Sequence, residues 1–241
     1  MKGFLIFLLI TVLLGCLFWP RFALAAGPVY TPGETIRYQI KKMGVKVGDA
    51  VFKYHGPVDE DGRPLILLVF TADGFNFYDE EKIYADPQTL LPVRVERDLN
   101  IFGKKEKITE YYDQAGAAIR VVKTKKNGTV EEQILKKEGA VDNLYCFIYR
   151  YRAEGAFHIG EALQLRLPTK DVELKIVRKA NIRVDSETRD SFFMESVSGE
   201  YRVWFSSDAE RVPLRIDGAV GFAKTQMILV GYEFGPRISL H

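Results

Sequence analysis

Cysteine is nearly absent from this chain: Cys16 and Cys146 are the only two among 241 residues. Cys16 falls inside an N-terminal apolar run, so a chain trimmed of that run keeps one thiol and cannot staple itself with an internal disulfide. Histidine is as sparse, and His55, His158 and His241 lie too far apart for metal-ligand spacing on one element. The chain has no phosphate-cradling glycine loop, no G-x-S-x-G elbow and no H-E-x-x-H pair, so neither a metal nor a cofactor is expected, and no enzyme chemistry is signalled. An excess of one charge is also missing, with 34 basic residues against 32 acidic ones, two of the basic ones (Lys2 and Arg21) in the N-terminal segment. Such a balance carries no broad footprint for nucleic acid, which is not expected as a partner, or for an anionic membrane.

What is present is a globular composition, 47% hydrophobic and 27% charged, which excludes a disordered or fibrous chain and supplies a core without staples. Neither low-complexity linkers nor helical repeats interrupt it, so a single β-rich domain is expected over residues 26–241. The first 25 residues read as a signal peptide: Lys2 precedes the apolar stretch Gly3 to Trp19, and small residues at Ala23 and Ala25 fit cleavage after Ala25, giving a periplasmic chain. Two alternatives stay open. Leu13-Leu14-Gly15-Cys16 fits a lipobox that would make Cys16 a diacylated N-terminus, and the apolar run is long enough for an uncleaved membrane anchor.

Short alternating segments dominate the rest. Ile36 to Ile40, Val172 to Ile176 and Tyr201 to Phe205 each place apolar side chains on one face of a pleated strand. Asp61-Gly62 and Asn127-Gly128 separate pairs of such runs and predict hairpin turns. From Asp142 the period changes: Leu144, Phe147, Ile148 and Tyr151 fall at i, i+3, i+4 and i+7, predicting a helix near 142–153 capped by Asp142 and ended by Gly155. About a dozen strands and one mid-chain helix predict a mainly β fold, a long curved antiparallel sheet forming a half-barrel or open barrel. Two further segments share a layout, Asp86 to Pro92 and Asp208 to Pro213: a turn opened by Asp, then Pro at the start of the returning strand, where a missing N–H costs no ladder bond. Asp208 and Arg211 are placed to pair across the second of these.

Few polar groups suggest chemistry. Cys146 reads as a core residue on the helix; as a nucleophile it would need His158, or Asp142 with His158, in a cleft. Asp73, Asn76, Asp79, Glu80 and Glu81 surround Gly74 without EF-hand spacing and read as a solvated loop. Lys104-Lys105, Lys125-Lys126 and Lys136-Lys137 read as turn tips and edge protection. Aromatic side chains offer more: a curved sheet around a helix can leave an apolar gap, and Phe75, Phe77, Phe102, Phe147, Trp204 and Phe222 are candidates to line it.

Several of these features together resemble a known family. Pro32-Gly33-Glu34, Gly44-Val45 with Gly48, Asp86-Pro87 with Thr89-Leu90-Leu91-Pro92, Asp142 with Leu144 and Arg150, and Trp204-Phe205-Ser206 with Asp208, Arg211, Val212 and Pro213 are similar to the domain-of-unknown-function 3108 family over about residues 29–225. Tyr145-Cys146 departs from the small pair that family carries. The resemblance implies an exported bacterial protein without an assigned activity. A looser likeness, to periplasmic lipoprotein-localisation carriers, implies an apolar cavity for acyl chains. The combined expectation is a non-enzymatic periplasmic binding or carrier protein with a lipid or lipoprotein as partner. The alternatives are an envelope assembly factor that meets a protein partner through its surface and, behind it, a hydrolase.

Overall fold

Alternation of buried and exposed residues runs through almost every segment of the chain, and the sheet follows from it. In the computed structural model, which describes residues 29–218 and 225–235, the strands are β1 (Glu34–Lys42), β2 (Val45–Glu60), β3 (Arg63–Gly74), β4 (Phe77–Ala85), β5 (Pro92–Ile101), β6 (Lys104–Asp113), β7 (Ala118–Lys125), β8 (Val130–Lys136), β9 (Ala162–Arg166), β10 (Asp171–Val184), β11 (Glu187–Ser196), β12 (Arg202–Ser206), β13 (Pro213–Asp217) and β14 (Thr225–Glu233). One helix, α1 (Leu144–Glu154), lies between β8 and β9. Among the described residues the fourteen strands form one antiparallel sheet in the order β8-β7-β6-β5-β4-β3-β2-β1-β14-β13-β12-β11-β10-β9. The first and last strands therefore meet in the middle, with Thr35 opposite Glu233 and Lys42 opposite Thr225. β8 and β9 are the two edges, and α1 is the link that carries the chain from one edge to the other. The result is an open half-barrel, as the patterning predicts.

Curvature has local causes. β2 shifts register between Tyr54 and Gly56, and Gly56 takes φ 91°, where a Cβ would also lie 2.8 Å from the Pro32 ring. β10 shifts between Ile176 and Arg178. Such bulges bend a strand and increase its twist.

The sheet curls far enough to bury α1 on nearly every side. Seven of its eleven residues are buried: Phe147, Ile148 and Tyr151 of the predicted stripe, with Tyr145, Cys146, Tyr149 and Arg152 beyond it, while Leu144 of the stripe is half-buried. Tyr145 stacks on Phe70 at 4.4 Å and meets Phe52 edge-on at 4.6 Å, and Tyr149 meets Tyr30 at 4.9 Å. Each such pair adds about 0.5–1.5 kcal/mol to the burial itself. These rings therefore pack on one another inside the curl of the sheet. Asn143, not Asp142, is the N-cap: its Oδ1 accepts from Tyr145 N at 2.8 Å. The Asp142 carboxylate is taken up by Asn143 N and Arg150. Gly155 ends the helix as expected, in extended rather than left-handed backbone.

The C-terminal half of α1 is locked by charge. Arg152 reaches Glu34 of β1 with two bonds of 2.7 and 2.9 Å, and both side chains are fully buried. Tyr232 donates to the same carboxylate at 2.8 Å, and Arg152 also donates to the Glu210 carbonyl.

Candidate functional site

The inner face of β4 carries Phe77, Asp79, Glu81 and Ile83 in alternation, all buried. Two carboxylates therefore point inward where an apolar face is the norm. Directly opposite Glu81 on β5 stands Arg97. Its Nε donates to Asp79 Oδ1 at 2.7 Å, its terminal nitrogen bonds the other Asp79 oxygen, and its Nε lies 3.4 Å from Glu81. β6 adds Glu110, which accepts from the Tyr112 hydroxyl. Asn143 joins this cluster to the helix: while its oxygen caps α1, its Nδ2 donates to Glu81 Oε2 at 3.4 Å.

Three carboxylates share one guanidinium here, and the balance shows in their proton affinity. Burial pushes the Glu81 carboxyl up to about 7; Arg97 opposes this, and the neighbouring Asp79 and Glu110 add to it. Glu110 is also raised, chiefly by burial. Glu81 and Glu110 therefore hold their protons to higher pH than free carboxyls do, because charging both would leave buried negative charge unpaired.

The cluster forms one wall of a cavity of about 830 Å³ at the N-terminal end of α1. Glu81, Arg97 and Glu110 face it from β4 to β6, while the β9–β10 turn (Leu167 to Thr169) and the β11–β12 turn (Ser198 to Tyr201) close it from the other arm of the sheet. Val95, on the same wall, and Leu144, Leu167 and Pro168 add apolar lining. Its size falls within the range of small-molecule sites. Among the described residues, no group of three or more His, Cys, Asp and Glu side chains is arranged to hold a metal ion.

Of the aromatics expected to line a cavity, the five among the described residues lie elsewhere. Phe147 is buried in the core and stacks on Tyr151 at 5.7 Å. Phe77 covers Gly48 and Gly74, where a Cβ would come within 3 Å of its ring. Trp204 is half-buried beside Phe193 at 4.7 Å and under Arg215, in alternation with the core residues Val203 and Phe205. Phe75 and Phe102 are corrections of a plainer kind: both sit on hairpin tips, 83% and 67% exposed. Phe222, Cys16 and the expected cleavage site lie outside the described residues. Asp79 and Glu81 are likewise misplaced by the solvated-loop reading, since β4 begins at Phe77 and turns them inward.

Over residues 35–229 the chain matches the family described as protein of unknown function DUF3108. The chain belongs to this family. No curated protein matches it. Among solved structures it is similar to a β-barrel-like protein of domain of unknown function DUF1849 from Brucella abortus, at 8% identity and TM-score 0.48 over 86% of this chain and 99% of that one. It is also similar to a "putative lipoprotein" from Parabacteroides distasonis, at 8% identity and TM-score 0.28 over 85% and 98%. A "putative exported protein" with a YmcC-like fold from Bacteroides fragilis gives 8% identity and TM-score 0.28 over 85% and 97%.

The motifs that carried the resemblance to DUF3108 are structural corners. Asp86 Oδ1 accepts from Gln88 N, Thr89 N and the Thr89 hydroxyl, turning β4 into β5, whose first residue is Pro92. Ser206 and Asp208 turn β12 into β13, whose first residue is Pro213: Val212 N donates to Ser206 Oγ at 2.9 Å, and that hydroxyl donates to Asp208 at 2.5 Å. Leu90 (φ 51°) and Arg211 (φ 49°) occupy the equivalent left-handed position two residues before each Pro. Arg211 lies over the rings of Phe157 and Phe192 at 4.5 and 4.9 Å instead of bridging to Asp208 as the spacing suggested. Cys146 is fully buried, with burial pushing its thiol well up, and His158 is exposed.

Proposed function

We propose that this DUF3108 protein is an exported envelope protein that binds an amphiphilic ligand, apolar or acylated at one end, in the cleft at the start of α1, and holds it without transforming it. The observation that carries the reading is the mixed lining of the cleft: Leu144, Leu167 and Pro168 are apolar, while the wall built by β4 to β6 brings Glu81, Arg97 and Glu110 to the cavity around Val95. With four carboxylates (Glu81, Glu110, Glu200 and Asp217) to two guanidiniums (Arg97 and Arg202) along its lining, the cleft favours a headgroup that is neutral or cationic. The leader-like N-terminus supports export. The burial of Cys146 supports binding over catalysis, because a thiol with a raised pKa is a poor nucleophile at neutral pH. A second reading, an assembly factor that works through its surface, draws on edge strand β8, where Val130 and Ile134 are 60% and 62% exposed.

Titration with the neutral fluorescent amphiphile N-phenyl-1-naphthylamine separates the two. Leu144→Glu is the informative variant, because an acidic residue suits the first turn of a helix yet puts charge on the apolar lining of the cleft. Saturable binding of one probe per chain, weakened about tenfold or more in the variant (about 1.4 kcal/mol), is expected. No saturable binding by the unmodified chain, or equal binding by both, favours the surface-acting reading.

A further inference from the structure

The turns β1–β2, β3–β4, β5–β6 and β7–β8 all fall at one end of the first arm, because each joins neighbouring antiparallel strands. They are knit into a continuous rim: Phe75 N donates to Val47 O at 3.2 Å, Phe102 N to Asn76 O at 2.8 Å, and Lys126 N to Lys105 O at 3.1 Å. Adjacent tips are about 10 Å apart, two strand spacings. Every tip presents a large apolar side chain to solvent. Met43 is 93% exposed, Phe75 83%, Phe102 67% and Val130 60%.

Two of these side chains sit where the backbone disfavours them. Met43-Gly44 (φ 50° and 82°) and Phe102-Gly103 (φ 50° and 81°) are two-residue turns with both central residues left-handed. Asn, Asp or Gly is the usual choice there, and Met43, 93% exposed, puts a bulky apolar side chain into solvent at such a position. Between the tips stand Lys104, Lys105 and Lys126, all exposed. Acidic groups are present on the same rim, with Asp49 holding Lys46 at 2.7 Å and Glu131 bonding Lys125, and Asp73 is exposed beside Phe75.

We propose that this rim docks on the anionic surface of a lipid bilayer, with Met43, Phe75 and Phe102 entering the headgroup layer and Lys104, Lys105 and Lys126 meeting lipid phosphates. The tips favour a bilayer over a protein face because their exposed apolar side chains stand on separate turns, with Lys104, Lys105 and Lys126 between them. Protein hot spots, by contrast, cluster in one packed centre, whereas single apolar wedges flanked by lysines match the layering of an interface. The rim also borders the cleft: Lys42 at its first tip is opposite Thr225, which with Gly218 lines the cavity.

Fluorescence quenching by brominated lipids tests the assignment on the full chain. Tryptophan is introduced separately as Phe75→Trp and Phe102→Trp on the rim, and as Gln88→Trp on the exposed β4–β5 turn at the opposite end. The unmodified chain supplies the background of Trp19 and Trp204. On vesicles of brominated phosphatidylcholine with phosphatidylglycerol, the rim tryptophans are expected to be quenched several-fold more than Gln88→Trp, and less without phosphatidylglycerol or at high salt. Equal quenching at both ends would mean that the N-terminal segment alone holds the chain at the membrane, and overturns the proposal. Shielding of the rim from iodide by added envelope proteins, without quenching by bromolipid, would mean that it meets a protein, and overturns it too. None of these readings depends on a ligand in the cleft.

Discussion

The two ends of α1 both carry buried charge, arranged on opposite principles. At the C-terminal end one cation meets one anion: Arg152 and Glu34 are fully buried, doubly bonded and further satisfied by Tyr232 and the Glu210 carbonyl. At the N-terminal end Asp79, Glu81 and Glu110 share the single guanidinium of Arg97, and the cluster opens on a cavity. The first arrangement is closed and fastens the helix to β1. The second is unbalanced, and burial raises the proton affinity of its Glu81 and Glu110 carboxyls. Buried charge alone therefore does not mark a site in this fold; an imbalance beside a cavity does.

Breaking the closed end should cost most. Glu34→Ala leaves Arg152 charged and unpaired in the core and is expected to remove about 3–5 kcal/mol of stability, read by urea denaturation. A loss below about 1 kcal/mol would show that packing, not this pair, fastens the helix. The open end should respond to pH instead. Glu81 has its folded pKa raised from 4.5 to about 7, so the native state binds the extra proton between those values. Its contribution to stability is then fully present below about pH 4.5 and is lost as pH rises through about 7, with an upper bound of about 3 kcal/mol. Denaturation curves across that window should show stability falling in the unmodified chain and a flatter profile in Glu81→Gln; an unchanged slope would place the proton elsewhere. The smallest effect belongs to the rim. Met43→Asn should stabilise the fold by roughly 0.5–1 kcal/mol, since Asn tolerates φ 50° better than Met, while weakening attachment to anionic vesicles. A destabilised variant would mean that the Met43 side chain is part of the fold's packing.

Much of the scaffold was legible in the sequence because it is written in local chemistry. Asp61-Gly62 adopts φ 53° and 79° between β2 and β3, Gly128 adopts φ 82° between β7 and β8, and both Asp-to-Pro corners start the next strand at the Pro. The period change from Asp142 placed α1 to within two residues. What stayed hidden depends on distance along the chain. Glu34 and Arg152 are 118 residues apart, and no local pattern shows that β1 pairs with β14 or that the helix spans the two sheet edges. The cleft was missed for a subtler reason. Asp79 and Glu81 alternate with Phe77 and Ile83, a signal of inward charge that is visible only once the strand is started after Asn76. Phe75 and Phe102 misled in the opposite direction, since residue type argued for the core while their places beside Gly74 and Gly103 argued for turns. Position was the better guide.

The central claim, that the open end of α1 is a ligand site, is tested most directly by native mass spectrometry of the protein purified gently from its own envelope, followed by analysis of the organic extract. One amphiphile with a neutral or cationic headgroup should accompany each unmodified chain and be absent from folded Leu144→Glu. A chain that carries nothing, or a compound retained equally by the folded variant, would contradict the claim and leave the unbalanced cluster without a ligand to explain it.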